Sequence, residues 1–172
     1  MSDLSTQHRL IPAALEAVGT ACAVSRAIQA NLTQLCEVTK DDRSPVTVAD
    51  FAVQAIISLS LADQLGPLDR LIVGEEDAEV LRTDKQAFIR KAVLEAVQSW
   101  RPQITETEML DAIDACNHDG SGDGFWALDP IDGTKGFLRG QHYAIALGRI
   151  ENGKVVAGVM GCPNLSIDQS FP

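Results

Sequence analysis

The sequence predicts an α+β domain spanning residues 1–172, a layered α-β-α arrangement with helices packed on a mainly antiparallel sheet. Two observations lead to this prediction. Apolar residues recur at helical spacing in the first third of the chain, whereas two strand-like runs joined by Asn152-Gly153 lie near its end. Because helices come first and a meander of strands follows, a strict β-α-β repeat is not indicated.

Composition limits the class of ligand. The chain has 172 residues, 45% of them hydrophobic, which is enough for one core. A net charge of −10 repels a polyphosphate backbone, so we expect no nucleic acid polymer as a partner. A small phosphorylated molecule stays compatible with this charge, because bound divalent cations can invert it locally. The four cysteines form no Cys-x-x-Cys pair, so neither a zinc site nor a redox motif is indicated.

The location of the protein is predicted from what its sequence lacks. Residues Met1 to Leu10 are polar and contain no secretory apolar region. No continuous apolar run approaches the roughly 20 residues that span a bilayer. We therefore expect no membrane partner and a cytoplasmic protein, with the nucleus as a second location.

Two long helices are predicted first. Apolar spacing indicates one helix from about Ser5 to Leu32 and a second from Thr47 to about Leu65, which Gly66-Pro67 stops. Thr47 would be the N-cap of the second helix and would place Asp50 in its first turn. The charged stretch Thr39–Pro45 between the helices should be a mobile surface loop.

The rest of the chain alternates short apolar runs with turn residues. A buried strand is expected at Leu71–Val73, followed by Gly74-Glu75-Glu76-Asp77. The further predicted elements are helices at Asp84–Gln98 and Glu106–Cys116, a loop at His118–Gly124, and strands at Phe125–Leu128, Tyr143–Ile150 and Lys154–Met160. Asn152-Gly153 supplies the positive φ angles of a tight hairpin between the last two strands.

Acidic residues follow three of these elements. Asp50 opens the second helix, Glu75 follows the first strand, and Asp129 and Asp132 follow the strand ending at Leu128. Carboxylates at strand ends can converge at a sheet edge, where their hard oxygens suit Mg²⁺. Each group also has a structural interpretation: a helix cap at Asp50, a solvated turn at Glu75 and a rigid turn at Asp129.

The segment Asp129–Thr134 is the most informative of the three. Pro130 fixes one backbone angle, so two carboxylates and the Ile131 carbonyl can face one point. Gly133 leaves room for a phosphate, and a helix starting near it would direct free N–H groups at an anion. The Thr134 hydroxyl could orient a water, and two metal ions could activate that water and stabilise the leaving oxygen.

Three motifs in the same order resemble the inositol monophosphatase superfamily. They are Ser44-Pro-Val-Thr-Val-Ala-Asp50, Gly74-Glu75-Glu76, and Asp129-Pro-Ile-Asp-Gly-Thr-Lys-Gly-Phe137 preceded by Trp126. Within this lithium-sensitive superfamily the chain is most similar to the 3′(2′),5′-bisphosphate nucleotidases. That similarity rests on Thr134-Lys-Gly-Phe-Leu-Arg-Gly140, on Gly161-Cys-Pro-Asn-Leu165, and on the 54 positions (129 − 75) between Glu75 and Asp129.

The resemblance implies a Mg²⁺-dependent phosphatase that removes the 3′-phosphate of 3′-phosphoadenosine 5′-phosphate to give AMP, and also acts on 3′-phosphoadenosine 5′-phosphosulfate. The implied metal ligands are Glu75, Asp129, the Ile131 carbonyl and Asp132. Asp50 and Thr134 would act on the attacking water, and Gly133 and Thr134 would lie against the phosphate. The loop Lys40–Ser44 would be a mobile flap near the metal ions.

The resemblance covers only the front half of the family's length. The family's C-terminal domain supplies a further metal-binding Asp in a Trp-Asp motif, and neither Trp100 nor Trp126 precedes an acid. We therefore expect a single metal-binding domain without its C-terminal partner, with an exposed inter-domain face that can self-associate. Two alternatives stay open: an inositol phosphate phosphatase, which Lys135-Gly136-Phe137 argues against, and an inactive module that binds metal or phosphate.

Overall fold

A computed structural model describes residues 4–31 and 44–166, and the side chains of residues 9–31 and 48–166. Its helices are α1 (Leu4–Ala30), α2 (Ser44–Gln64), α3 (Ala87–Gln98), α4 (Glu106–Asp114) and α5 (Thr134–Leu138), with 3-10 turns at Val80–Arg82 and Asp84–Gln86. Its strands are β1 (Ile72–Val73), β2 (Gly124–Asp132), β3 (Ala144–Glu151) and β4 (Lys154–Gly161). The α+β class with helices and a mixed, mainly antiparallel sheet is confirmed.

Helix α2 lies at the centre of the core. Small residues such as Ala14, Ala17 and Ala21 on α1 are fully buried and allow the two helices to pack closely. Helix α2 packs in turn on β2, α3 and α4, and α1 packs on β3 and β4. Because α2 is surrounded, most of its residues from Val48 to Leu61 are buried, and most of these are apolar.

The four strands are ordered β1-β2-β3-β4. β1 is parallel to β2, and the other two pairs are antiparallel. Trp126 of β2 is fully buried, and its Nε1–H donates to the Asp69 carbonyl over 2.9 Å. The hairpin turn between β3 and β4 has the predicted left-handed residues, with φ of 50° at Asn152 and 71° at Gly153.

The beginning of α2 differs from the prediction. The helix begins at Ser44, so Thr47 lies inside its first turn and is not the N-cap, and Asp50 lies in the second turn. Proline is tolerated in a first helical turn, where its missing N–H has no partner to lose. Ser44-Pro45 is therefore a helix start, and residues 39–43, which make up the rest of the predicted loop, lie outside the described residues.

The helices cover one face of the sheet. On the opposite face of β4 the side chains of Val155 and Met160 are 73% and 65% exposed. The sequence does not locate the inter-domain face that it predicts to be exposed, and the self-association expected through that face stays a prediction.

One segment of α1 has the length and composition of a membrane span. Arg9–Ala30 is apolar enough to cross a bilayer by these two criteria. In the structure its apolar stripe, including Leu10, Ala14, Val18 and Ile28, is buried against the rest of the domain. A core helix of a folded domain meets the same criteria, so the segment is weak support for a membrane span.

Candidate metal centre

The pairing of β1 with β2 brings two of the predicted ligands to the same sheet edge. Ile72 pairs with Trp126 and Val73 with Ala127, a constant offset of 54 positions. Glu75 follows β1 by two residues and is separated from Asp129 by the same 54 positions, and the charge of Asp129 acts on the Glu75 carboxyl. Since the two strands are parallel, Glu75 lies just beyond the carboxyl end of β1, beside the carboxyl-terminal half of β2 that contains Asp129.

Strand β2 does not end before its acids, which corrects the prediction that Asp129 and Asp132 follow the strand. β2 runs through Asp132, and its register to β3 shifts from Asp129↔Ala146 to Asp132↔Ala144. Between these two pairs β2 advances by three residues while β3 advances by two. β2 therefore contains one extra residue and forms a β-bulge around Pro130 and Ile131. A bulge tolerates proline, which has no N–H to donate to the neighbouring strand. The bulge also bends β2, so the Asp129 and Asp132 side chains no longer follow the regular alternation between the two faces of the sheet.

The bulge also orders the Asp129 carboxylate. It accepts a hydrogen bond from the Ile131 N–H, while the Ile131 and Pro130 side chains are buried. The Asp132, Gly133 and Thr134 positions are exposed. The chain therefore presents the acids to solvent on a backbone that its apolar neighbours hold in place.

A left-handed glycine follows the bulge. Gly133 has φ of 91°, and α5 begins directly after it at Thr134, as predicted. Within α5, Gly136 lies so close to the His142 carbonyl oxygen that any side chain at this position would collide with it. These two glycines explain why the run from Asp132 to Phe137 folds back tightly beside the sheet.

Asp50 reaches this region from α2. Burial is the main reason that the pKa of its carboxyl rises from 3.8 to about 8, followed by the negative charges of Glu76, Glu75 and Asp129. A protonated aspartic acid at neutral pH is unusual for a helix residue. Asp50 is therefore held in a half-buried position facing acids from two other elements.

The other acids of this group also repel one another. Burial and then Asp129 raise the pKa of Glu75, and burial and then Glu75 raise that of Glu76. Burial and then Asp132 raise the pKa of Asp129, although the bond from the Ile131 N–H opposes this. We call Asp50, Glu75, Glu76, Asp129 and Asp132 the acidic cluster.

The acidic cluster fits a hard divalent cation in its chemistry. All its donors are carboxylate oxygens, and their mutual repulsion is what a bound cation would relieve. In the described part of the chain, no three acidic, histidine or cysteine side chains stand close enough to enclose an ion. Mg²⁺ keeps several waters and takes only one or two carboxylates plus substrate oxygens, so an open set of this kind suits it better than a closed cage would.

A cleft of about 700 Å³ lies over the open sheet face beside these acids. Glu75 and Asp129 line one end, and small or apolar residues such as Ala127, Ala146 and Gly148 line its floor. Among the described residues, Asp50, Asp132 and Thr134 do not line this cleft. The structure thus brings Asp50, Glu75, Asp129 and Asp132 into electrostatic contact, while Gly133 and Thr134 adjoin them along the chain.

Glu76 is the member of the acidic cluster that sequence reasoning did not select. It is half-buried and is the charge with the largest effect on the Asp50 carboxyl. Its position within Gly74-Glu75-Glu76 was visible, but two adjacent acids look equivalent in a sequence. Only the folded segment distinguishes Glu76, which turns inwards, from Glu75, which is exposed.

Comparisons with known proteins find relatives of the whole described domain. The inositol monophosphatase family model matches residues 6–171. The 3′(2′),5′-bisphosphate nucleotidase of Schizosaccharomyces pombe is 48% identical over 146 residues, covering 78% of this chain and 40% of the relative. Two Arabidopsis thaliana proteins are also similar. The 3′,5′-bisphosphate nucleotidase AHL is 46% identical, covering 75% of this chain and 38% of the relative. The 3′(2′),5′-bisphosphate nucleotidase 1 is 41% identical, covering 91% of this chain and 47% of the relative. The chain spans less than half the length of these relatives.

Proposed function

Because the chain belongs to the inositol monophosphatase family, we propose that it is the metal-binding part of a Mg²⁺-dependent phosphatase that removes the 3′-phosphate of 3′-phosphoadenosine 5′-phosphate. The observation that carries this proposal is the acidic cluster, in which acids from α2, β2 and the segment after β1 raise one another's pKa values. The family is generally metal dependent, and the choice of Mg²⁺ rests on the all-carboxylate donor set.

The proposed ligands are Glu75, Asp129, Asp132 and the Ile131 carbonyl, shared between two Mg²⁺ ions so that each ion would take only one or two of the carboxylates. Bound Mg²⁺ would neutralise charge at the phosphate and make the attacking water more acidic. The bulge of β2 supports this assignment, because it separates Asp129 from Asp132 by one extra residue and leaves Asp132 exposed. Glu75 joins them through the pairing of β1 with β2.

The other groups would act on water and phosphate. Asp50 would accept the proton of the attacking water, for which its carboxyl must first be ionised by a nearby positive charge. The exposed Thr134 would orient that water through its hydroxyl. Backbone N–H groups at Gly133 and Thr134 would face the phosphate, because Gly133 has no side chain to block its approach.

The nucleotide substrate is supported by two observations. The relatives above are named bisphosphate nucleotidases, and Lys135-Gly136-Phe137 is part of the run on which the resemblance to that branch rests. The products would be AMP and phosphate, or adenosine 5′-phosphosulfate and phosphate from 3′-phosphoadenosine 5′-phosphosulfate. An inositol phosphate is the alternative substrate within the same family.

Phosphate release tests the substrate. The purified chain is assayed side by side with 3′-phosphoadenosine 5′-phosphate and inositol 1-phosphate, each with Mg²⁺ and with a chelator. We expect release from the nucleotide alone, only with Mg²⁺, and AMP as the product by chromatography. Faster release from inositol 1-phosphate would reverse the substrate assignment. Mg²⁺ binding without turnover of either compound would support the alternative of a non-catalytic metal-binding module.

A further inference from the structure

Gln54 is a fully buried polar residue in the apolar middle of α2, one helical turn after Asp50. Its neighbours Val53 and Ala55 are fully buried as well. A buried amide lowers stability unless its donors and acceptor are paired. The hydrogen-bond partners of the Gln54 side chain therefore indicate its role.

Four hydrogen bonds satisfy the Gln54 amide. Its Oε1 accepts from the N–H of Glu75 and from the N–H of Glu76, both over 3.1 Å. Its Nε2 donates to the Glu76 carbonyl over 2.7 Å and to the Ile113 carbonyl over 3.1 Å. Three of the four bonds hold the backbone of the two acids, and the fourth ties them to α4.

Gly74 makes room for this contact. A β-carbon at Gly74 would stand 2.7 Å from Cδ of Gln54 and 2.8 Å from Cβ of Cys116. The Gly74 N–H also donates to the Cys116 carbonyl over 2.7 Å. The segment from Gly74 to Glu76 is therefore clamped between α2 and the end of α4, and a side chain at Gly74 would push the clamp open.

We propose that Gln54 is a positioning residue for the metal site, which fixes Glu75 and Glu76 relative to Asp50. The inference rests on the proposed function. Asp50 and Gln54 share one rigid helix, so a single side-chain amide sets the spacing between acids of two separate elements. Partners behind a metal ligand commonly change metal affinity 10- to 100-fold, although they do not touch the ion.

Mn²⁺ serves as the probe, because free Mn²⁺ has a paramagnetic resonance signal that binding removes. We expect Gln54→Met to weaken the apparent Mn²⁺ affinity about 10-fold or more, because the acids lose their fixed spacing. Amide hydrogen exchange at Glu75 and Glu76 should accelerate by a similar factor. Gln98→Met is the matched control, since Gln98 also donates to a backbone carbonyl, that of Ile104, and lies on α3. It should leave Mn²⁺ affinity within about 2-fold of the parent chain.

Two further variants separate positioning from stability. Gln54→Glu keeps an oxygen facing the two N–H groups but replaces the Nε2 donor, and its carboxyl can return only one of the two donated bonds, when protonated, so it should restore Mn²⁺ affinity only in part. Gly74→Ala leaves Gln54 intact but displaces it, and should weaken Mn²⁺ binding as Gln54→Met does. Unchanged Mn²⁺ affinity in folded Gln54→Met and in Gly74→Ala would overturn the positioning role of Gln54 but leave the proposed function intact. A parent chain that binds no Mn²⁺ would overturn the proposed function together with it.

Discussion

Asp50→Asn should abolish most phosphate release and at the same time stabilise the metal-free chain at alkaline pH. The pKa of this carboxyl is raised to about 8, first by burial and then by Glu76, Glu75 and Asp129. The folded chain therefore keeps a proton that the unfolded chain loses near pH 4, and the free energy of unfolding falls as pH rises from about 4 to about 8. The amide introduced by Asp50→Asn does not ionise, so the variant avoids this decrease in the free energy of unfolding.

The size of the effect follows from the pKa. A rise from 3.8 to about 8 corresponds to at most ~6 kcal/mol, and relaxation of the half-buried site reduces this, so we expect a gain of about 2 kcal/mol at pH 8. The gain should disappear near pH 4 and shrink when Mg²⁺ is present. Phosphate release should fall about 10²- to 10⁴-fold, the usual contribution of a general base.

Urea unfolding at several pH values measures this stability change. Glu16→Gln, which alters an exposed acid on α1, is the control and should change the unfolding free energy by less than about 0.5 kcal/mol at any pH. If Asp50→Asn increases the free energy of unfolding equally at pH 5 and pH 8, or lowers it at pH 8, then the pKa of Asp50 is not the one that is raised.

Asp129→Asn should have the second large effect, because Asp129 lies between Glu75 and Asp132 and borders the cleft. The substitution keeps the shape of the side chain but removes the charge that would hold the metal. We expect at least a 100-fold loss of phosphate release at fixed Mg²⁺, partly recovered at high Mg²⁺ concentration.

The matched control for Asp129→Asn is Asp123→Asn, directly before the opposite end of β2. Asp123 is exposed and its backbone carbonyl accepts a hydrogen bond from the Asn152 N–H, which the substitution leaves in place, so the variant should keep the parent's activity. Equal activity of the Asp129 variant and the parent across a Mg²⁺ titration would remove Asp129 from the metal site.

The elements with strong local patterns could be predicted from the sequence. Helices α1 and α2 follow from apolar spacing, and the hairpin at Asn152-Gly153 follows from the positive φ angles that only a few residues adopt readily. The offset of 54 positions between Glu75 and Asp129 was also visible. What the sequence could not show is that this same offset is the register of β1 against β2.

The errors of prediction lie where local patterns compete. Thr47-x-x-Asp50 satisfies a capping pattern, yet Ser44-Pro45 also starts a helix, and the longer helix is the one that forms. The bulge at Pro130 depends on pairing with β3, which is remote in sequence. Gln54 looks like an isolated polar residue in an apolar helix, and its role becomes visible only when the segment from Gly74 to Glu76 folds against it.

The most direct measurement is calorimetric titration of Mg²⁺ into the metal-free chain at pH 7, in two buffers with different heats of ionisation. Because Asp50 is mostly protonated at this pH and must ionise beside a bound cation, we expect binding with net release of protons. Asp50→Asn should remove most of that proton release, and Asp129→Asn should weaken the binding itself. Absence of Mg²⁺ binding, or binding that releases no protons and is unchanged by both substitutions, would contradict a metal site at the acidic cluster.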